Sequence, residues 1–176
     1  MRRLAFDTAV SLHERRVFTL AAYLLDDRQE AEDVTQEVLL RLWRRGHEVD
    51  PARVGAWLLR VTRNACIDLL RRRRAGAGLV LVDEKTEQGR RAPQTTPGPE
   101  ALARASELGD RIRCALAALS EPIRSVVILR EVQGLSYQEI SDALEMPLSS
   151  VRVNLHRGRR RLREELKEVR DHVAAC

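Results

Sequence analysis

The last third of the sequence contains a run of residues suited to binding a polyanion. The stretch MPLSSVRVNLHRGRRRLR, residues 146–163, has six arginines and no acidic residue. At about 100° per residue, one helical face collects Val151, Leu155 and Leu162, and the opposite face of the first turns presents Arg152, Val153, His156, Arg157 and Arg160. Arginine can grip guanine with two hydrogen bonds, and an apolar side chain can contact a thymine methyl. The pattern indicates either a helix that reads DNA or a basic helix facing solvent.

The residues before this run favour the DNA-reading interpretation. Ser136 and Glu139 have the spacing of a capping box, which predicts a short helix over 136–144. Residues 145–148 then turn the chain, and Ser149 or Ser150 is expected to cap a last helix that reaches about residue 170. A short helix, a tight turn and a second capped helix form the helix-turn-helix plan. Gly158 lies on the apolar side of the last helix and would let another helix approach closely.

The first half of the chain also has helical periodicity. Apolar spacing predicts helices over 4–25, 28–45 and 52–74. In the second helix Val34, Val38 and Leu42 share one face, and a separate strip holds Leu39, Leu40 and Trp43. The third helix should turn these residues inward: Val54, Trp57, Leu58, Val61, Ala65 and Leu69.

The composition changes at residue 75. The stretch 75–99 is rich in Gly, Pro and Thr, which favours a flexible linker even though its LVLV could form a short strand. Helical periodicity returns over 100–118 and again from Ile123 to about Gly134. We therefore predict an all-α protein with two small helical domains, 1–74 and 100–176, joined by the linker 75–99, with the helix-turn-helix in the second domain.

Composition limits the possible functions. The net charge of +5 and the pI of about 9.7 favour a polyanionic partner such as nucleic acid. Three widely spaced cysteines indicate a reducing compartment, Cys66 is expected to be a buried inert thiol, and His172 with Cys176 at the chain end makes a poor metal site. We find no signal-peptide pattern, no membrane span, no phosphate loop and no catalytic grouping. The expectation is a cytoplasmic protein without catalytic residues, metal or cofactor.

Two independent motifs together resemble one family. RQEAEDVTQEVLLRLWRR followed by VGAWLLRVTRNACIDLLRRRR, and later LSEPIRSVVILREVQGLSYQEISDALEMPLSSVRVNLHRGRRRLR, are similar to the extracytoplasmic-function (ECF) sigma factors of bacterial RNA polymerase, in the sigma-seventy superfamily. The resemblance covers nearly the whole chain. It implies a non-catalytic initiation subunit that binds core RNA polymerase through its β′ and β subunits, recognises promoter DNA and is restrained by an anti-sigma factor.

The resemblance also implies roles for individual residues. The surface that docks on the polymerase β′ subunit would comprise Glu32, Asp33, Gln36, Glu37, Leu40 and Trp43. The helix that reads and opens the −10 element would use Arg60, Arg63, Asn64, Asp68 and Arg71, although the simpler role for Asp68 is to balance Arg71 and Arg72. The −35 element would be contacted by Arg130, Ser149, Arg152, Val153, His156, Arg157 and Arg160.

This sequence departs from the family pattern at the start of the last helix. Ser149-Ser150 stands where the family commonly has Gly-Thr, and Val153-Asn154 where it commonly has Ser-Arg. The DNA sequence that is read should differ accordingly. Three other classes remain as alternatives: a dimeric regulator that binds DNA alone, a basic RNA-binding or nucleoid protein, and an enzyme.

Overall fold

The first half of the chain forms three helices. A computed structural model describes residues 3–77 and 109–173. Helix α1 spans Arg3–Leu25, α2 spans Arg28–Arg45, and α3 spans Val54–Ala77. Two short 3-10 turns, Gly46–Glu48 and Pro51–Arg53, connect α2 to α3. All three predicted helices are therefore present, but α3 begins two residues later and ends three residues later than the expected 52–74.

Local capping explains where α2 begins and ends. The Asp27 carboxylate accepts a hydrogen bond of 2.9 Å from the Glu30 backbone N–H, which satisfies one of the free donors of the first turn. At the other end the Gly46 N–H donates to the Leu42 carbonyl. Asp50 similarly accepts from the Ala52 N–H at 3.0 Å and starts the second 3-10 turn. Each capping residue is next in sequence to the helix whose end it caps.

The buried stripe of α3 differs from the predicted one. Val54 and Leu58 are buried as expected, but Val61, Ala65, Leu69 and Trp57 are only half-buried. The buried positions further along the helix are instead Leu59, Thr62 and Cys66. Thr62 can be buried because its hydroxyl donates to the Leu58 carbonyl at 2.7 Å. The stripe is displaced because α3 packs against α1 and α2 on one side and against the second half of the chain on another.

The second half of the chain forms the helix-turn-helix. Helix α4 occupies 109–117 of the described residues, and α5, Glu121–Val127, continues into a π-helical turn, Ile128–Val132. Helix α6 spans Tyr137–Leu144 and α7 spans Leu148–Val173. The predicted capping box is confirmed: the Glu139 N–H donates to the Ser136 hydroxyl at 3.2 Å, and the Ser136 N–H donates to the Glu139 carboxylate at 2.7 Å.

The prediction that Ser149 or Ser150 caps the last helix is wrong. Helix α7 already begins at Leu148, and the Val151 N–H donates to the Pro147 carbonyl at 3.1 Å. Pro147 therefore precedes the first helical residue, and both serines lie inside the first turn. Several adjacent residues were compatible with a helix start, and the backbone hydrogen bond to Pro147 selects the earliest of them.

The two halves pack together around one apolar core. Helix α3 contacts α6, and α1 contacts α5, so buried side chains of both halves form a single cluster. Polar contacts cross the same boundary: Arg124 Nη1 donates to the Leu24 carbonyl at 3.3 Å, and Gln133 Nε2 donates to the Arg16 carbonyl at 3.0 Å. Within 3–77 and 109–173 all regular structure is helical, which confirms the all-α fold class. In the same ranges no helix combines the length and apolar character that crossing a membrane requires.

Some sequence predictions fall outside the described residues. These are the linker from residue 78 onward with its LVLV stretch, the beginning of the helix predicted over 100–118, and Cys176 of the terminal His/Cys pair.

Candidate nucleic-acid interface

Helix α7 is held by its apolar side against α5. Val151, Leu155 and Gly158 are buried, as the helical wheel predicted. A Cβ atom added at Gly158 would lie 2.4 Å from Val127 Cγ2 and 3.0 Å from Ile123 Cγ2. Only glycine therefore permits the observed distance between the two helices, which confirms the predicted close approach.

The opposite side of α7 faces solvent. Arg152, Val153, His156, Arg157 and Arg160 are all exposed, and Ser149 is exposed one turn earlier. These six positions lie within an arc of about 140° at 100° per residue. Val153 is 47% exposed, and packing within the chain does not account for this apolar side chain. The arrangement offers donors for base edges and phosphates beside an apolar group that could contact a thymine methyl.

Arg130 lies apart from that exposed face and supports the turn. Its Nη1 donates to the Leu135 carbonyl at 2.7 Å, and its guanidinium carbon lies 5.2 Å from the centre of the Tyr137 ring. A second internal contact joins Arg159 to Glu131, with nitrogen–oxygen distances of 2.8 and 2.9 Å. The contact of Arg159 with Glu131 could not be predicted from the sequence, because these residues are 28 positions apart and meet only when the helices pack.

Helix α3 carries the second basic surface. Asn64, Asp68 and Arg71 are exposed, and Arg71 Nη1 lies 3.9 Å from Asp68 Oδ1 within the same helix. Arg60 and Arg63 are partly covered. All five residues proposed for the −10 element fall within an arc of about 140°, so one face of α3 presents them together.

Carboxylates of the second half hold Arg60 and Arg63. Arg63 makes a bidentate contact with Glu121, from Nε to Oε1 at 2.6 Å and from Nη2 to Oε2 at 2.7 Å. The Ser125 hydroxyl donates to the same carboxylate at 2.7 Å. Arg60 pairs with Glu145. Sequence analysis missed both carboxylates because they lie 58 and 85 positions from their partners.

Cys66 is buried next to these arginines on α3. Burial raises the pKa of its thiol to about 12, so at neutral pH it is a protonated apolar group rather than a nucleophile. This agrees with the expected inert thiol. Cys114, by contrast, is exposed. Among the described residues no three His, Cys, Asp or Glu side chains are grouped so that they could hold a metal ion.

The outer face of α2 combines acids with exposed apolar groups. Glu32, Asp33, Gln36 and Glu37 are exposed, and so are Leu40 at 55% and Trp43 at 49%. Glu32 and Glu37 form ion pairs with Arg28 and Arg41 one turn away on the same helix. Trp43 is oriented by an edge contact with Phe6, with ring centres 4.9 Å apart. Exposed apolar and aromatic groups in a polar surround are typical of protein interfaces.

Comparison with known proteins identifies the class to which these surfaces belong. Residues 9–76 match the model of sigma-70 region 2, and residues 109–162 match that of sigma-70 region 4. The chain is therefore a protein of the sigma-70 type.

Individual relatives define the family more closely. The chain is 36% identical over 162 residues to the ECF RNA polymerase sigma factor SigE of Mycolicibacterium smegmatis, covering 92% of this chain and 62% of that protein. It is 30% identical to SigK of Mycobacterium tuberculosis, covering 84% and 78%, and 28% identical to SigW of Bacillus subtilis, covering 94% and 90%. The chain belongs to the ECF RNA polymerase sigma factors, which confirms the resemblance. Membership of this family implies a non-catalytic subunit for transcription initiation.

Two solved structures have a similar fold. The sigma factor RpoE of Bartonella quintana, in complex with the anti-sigma factor NepR, superposes with a TM-score of 0.71 at 22% identity and covers 92% of this chain and 96% of its own. CnrH, in complex with the cytosolic domain of CnrY, gives a TM-score of 0.65 at 24% identity, with coverage of 93% and 88%. At these identities the likeness concerns the fold.

Proposed function

We propose that this chain binds core RNA polymerase and directs initiation at promoters that carry −10 and −35 elements. The observation that carries the proposal is the orientation of α7, which buries Gly158 against α5 and exposes Arg152, Val153, His156 and Arg157 on the other side. Such a helix can enter the major groove while its rear face stays attached to the domain.

We assign the remaining roles by surface. The outer face of α2, with Leu40 and Trp43 among acids, would dock on the polymerase β′ subunit. The face of α3 that bears Asn64 would take the opened −10 strand, and Arg130 and Ser149 would lie near −35 phosphates. The corresponding domains are 1–74 and 100–176 with the linker 75–99 between them. The two separate sigma-70 matches, which leave 77–108 unmatched, support this division.

Strand opening has to be driven by binding alone. Flipping or unstacking each base requires a few kcal/mol, which pockets and stacking platforms on the protein can offset. Only six of the 176 residues are aromatic, two each of Phe, Trp and Tyr, so few stacking platforms are available. We therefore expect opening to demand a promoter close to its optimal sequence.

We further propose that an anti-sigma factor restrains the chain in the cytoplasm until a stress or environmental signal releases it. The complexes of RpoE with NepR and of CnrH with CnrY support this proposal by analogy. A cleft of about 890 Å³ between the two halves, lined by residues that include Arg53, Trp57, Asp142 and Met146, is one surface that such a partner could enter.

Transcription in vitro with purified core polymerase and a promoter library tests the main proposal. The chain should form a stoichiometric complex with core enzyme and give new start sites downstream of a shared pair of elements. Transcripts identical to those of core enzyme alone would instead favour a regulator that acts on DNA without polymerase. Association with all sequences alike would indicate a nucleoid or RNA-binding protein.

A further inference from the structure

Two acidic residues occupy backbone conformations that favour glycine. Asp26, with φ 53°, follows α1, and Glu145, with φ 51°, follows α6; they are the two non-glycine residues of positive φ in the described ranges. Glycine is the usual residue at such helix ends because it has no Cβ. Here each carboxylate faces an arginine of the other half: Asp26 Oδ1 lies 3.8 Å from Arg113 Nε, and Glu145 pairs with Arg60. Asp tolerates this conformation because its side chain is short and polar, but the local backbone does not explain Glu145, whereas its contact with the other half does.

The third ion pair across this boundary, between Arg63 and Glu121, is the best formed. Arg63 makes a bidentate contact with both carboxylate oxygens of Glu121. The side chains of Arg63 and Glu121 are only 19% and 28% exposed. Charge-assisted bidentate contacts of this kind are stronger and more directional than hydrogen bonds between neutral groups. Partial burial also shields the pair from dissolved salt.

The arginines held in this way are the ones assigned to the opened promoter strand. A guanidinium offers the same planar fork to carboxylate and to phosphate. The Nε–Nη2 edge of Arg63 that holds Glu121 cannot hold a phosphate at the same time, and the Nη1 of Arg60 is occupied by Glu145 in the same way. The surface of α6 packed on α3 additionally limits access to that part of α3.

We propose that Glu121 and Glu145 act as an internal competitor for DNA, holding the free chain in a closed form in which Arg60 and Arg63 are withheld from the −10 strand. The halves must separate before α3 can bind DNA. This inference rests on the proposed role of α3 and adds the residues that regulate it.

Binding of a −10 strand to the free chain tests the competition. The full chain is compared with the double variant Glu121→Gln/Glu145→Gln, which keeps side-chain volume and removes both charges. The probe is a fluorescein-labelled single-stranded oligonucleotide that carries the −10 element selected from the library, followed by anisotropy at fixed ionic strength. We expect a Kd about tenfold lower for the double variant, which corresponds to a parent chain that is open roughly a tenth of the time.

The matched control is Glu131→Gln/Glu164→Gln. It removes the same number of charges from the second half, but these carboxylates pair with Arg159 and Arg160 within that half. Its Kd should stay within about threefold of the parent value, the allowance for a general rise in positive charge. An equal gain in both double variants would mean that non-specific charge, and not release of Arg60 and Arg63, improves binding.

Small-angle X-ray scattering of the same proteins measures, in the absence of DNA, how closely the two halves are packed. The radius of gyration should be larger for Glu121→Gln/Glu145→Gln than for the parent and the control. An unchanged radius, or expansion without tighter strand binding, overturns the proposal. Holoenzyme assembled with the double variant should keep the parent's start sites, since neither glutamate is among the residues proposed to bind promoter or polymerase. Failure of parent holoenzyme to give promoter-directed starts would instead overturn the proposed function.

Discussion

Leu40 is an exposed apolar residue whose position on α2 indicates a partner surface. It is 55% exposed between the acids of α2, and Leu12 on α1 is similarly exposed at 66% but lies outside the proposed docking surface. Truncating an interface anchor typically weakens binding by about 1–2 kcal/mol, or roughly tenfold. We expect Leu40→Ala to weaken binding to core polymerase by that factor in a fluorescence titration, and Leu12→Ala to leave affinity unchanged. Equal losses of affinity in both variants would contradict the proposal that the outer face of α2 is the docking surface.

Arg157 tests base reading at the level of one side chain. It is exposed on the arc of α7 that is proposed to face DNA. If it holds a base edge, Arg157→Ala should relax recognition at one −35 position and lose about 1–3 kcal/mol there. The measurement is the start-site profile on a promoter library randomised at −35. Uniform weakening on all promoters would show that Arg157 touches only phosphate.

Gly158 determines the packing of an entire element. Alanine at this position would force α7 away from Val127 or make side chains adopt strained rotamers, because its Cβ would meet Val127 Cγ2 at 2.4 Å. Overpacking of this kind lowers the free energy of unfolding by about 1–3 kcal/mol. We expect Gly158→Ala to lower the urea midpoint and to weaken −35 duplex binding. Gly109→Ala is the control, since its Cβ would meet nothing closer than Arg113 Nη1 at 3.8 Å and should not destabilise the protein.

The capping box makes the stability of α6 dependent on pH. The hydrogen bond from the Ser136 backbone N–H holds the pKa of the Glu139 carboxyl below its usual value. A carboxylate with a depressed folded-state pKa contributes stability above its unfolded value of about 4.3 and loses it as the pH falls through the folded pKa. Urea unfolding should therefore give a less stable Glu139→Gln variant at pH 7 and a smaller difference in stability at pH 3, below the unfolded-state pKa. A difference that is the same at both pH values would exclude a contribution from the charge.

Arg124 acts at the scale of the whole molecule. Its guanidinium donates to the Leu24 carbonyl at the end of α1, to Ala117 at 2.6 Å and to Leu119 at 3.1 Å near the end of α4, and burial lowers its pKa. Hydrogen bonds from charged donors contribute about 1.5–3 kcal/mol, so Arg124→Ala should reduce the free energy of unfolding by about 2 kcal/mol. Arg124→Lys keeps the charge but cannot reach all three carbonyls. In chemical denaturation the free energy of unfolding of Arg124→Lys should lie between those of the parent and Arg124→Ala. A loss as large as that of Arg124→Ala would mean that the charge contributes nothing without the three hydrogen bonds.

The sequence by itself determined the helices and their caps. The bounds of α2 follow from Asp27 and Gly46, and the capping box from Ser136 and Glu139, because these hydrogen bonds join residues at most four positions apart. The exposed face of α7 was also predictable, since helical geometry fixes which residues share a side. The start of α7 was not, because Pro147 and the two serines gave competing signals for neighbouring positions.

Only the tertiary structure decided how the halves contact each other. The displaced buried stripe of α3, the contact of Arg159 with Glu131, and the ion pairs of Arg60 and Arg63 all depend on residues that are distant in sequence. Periodicity reports that a side chain is apolar or charged, but it does not name the group that the side chain meets. Partner choice depends on how whole helices pack, and that information is distributed over both halves of the chain.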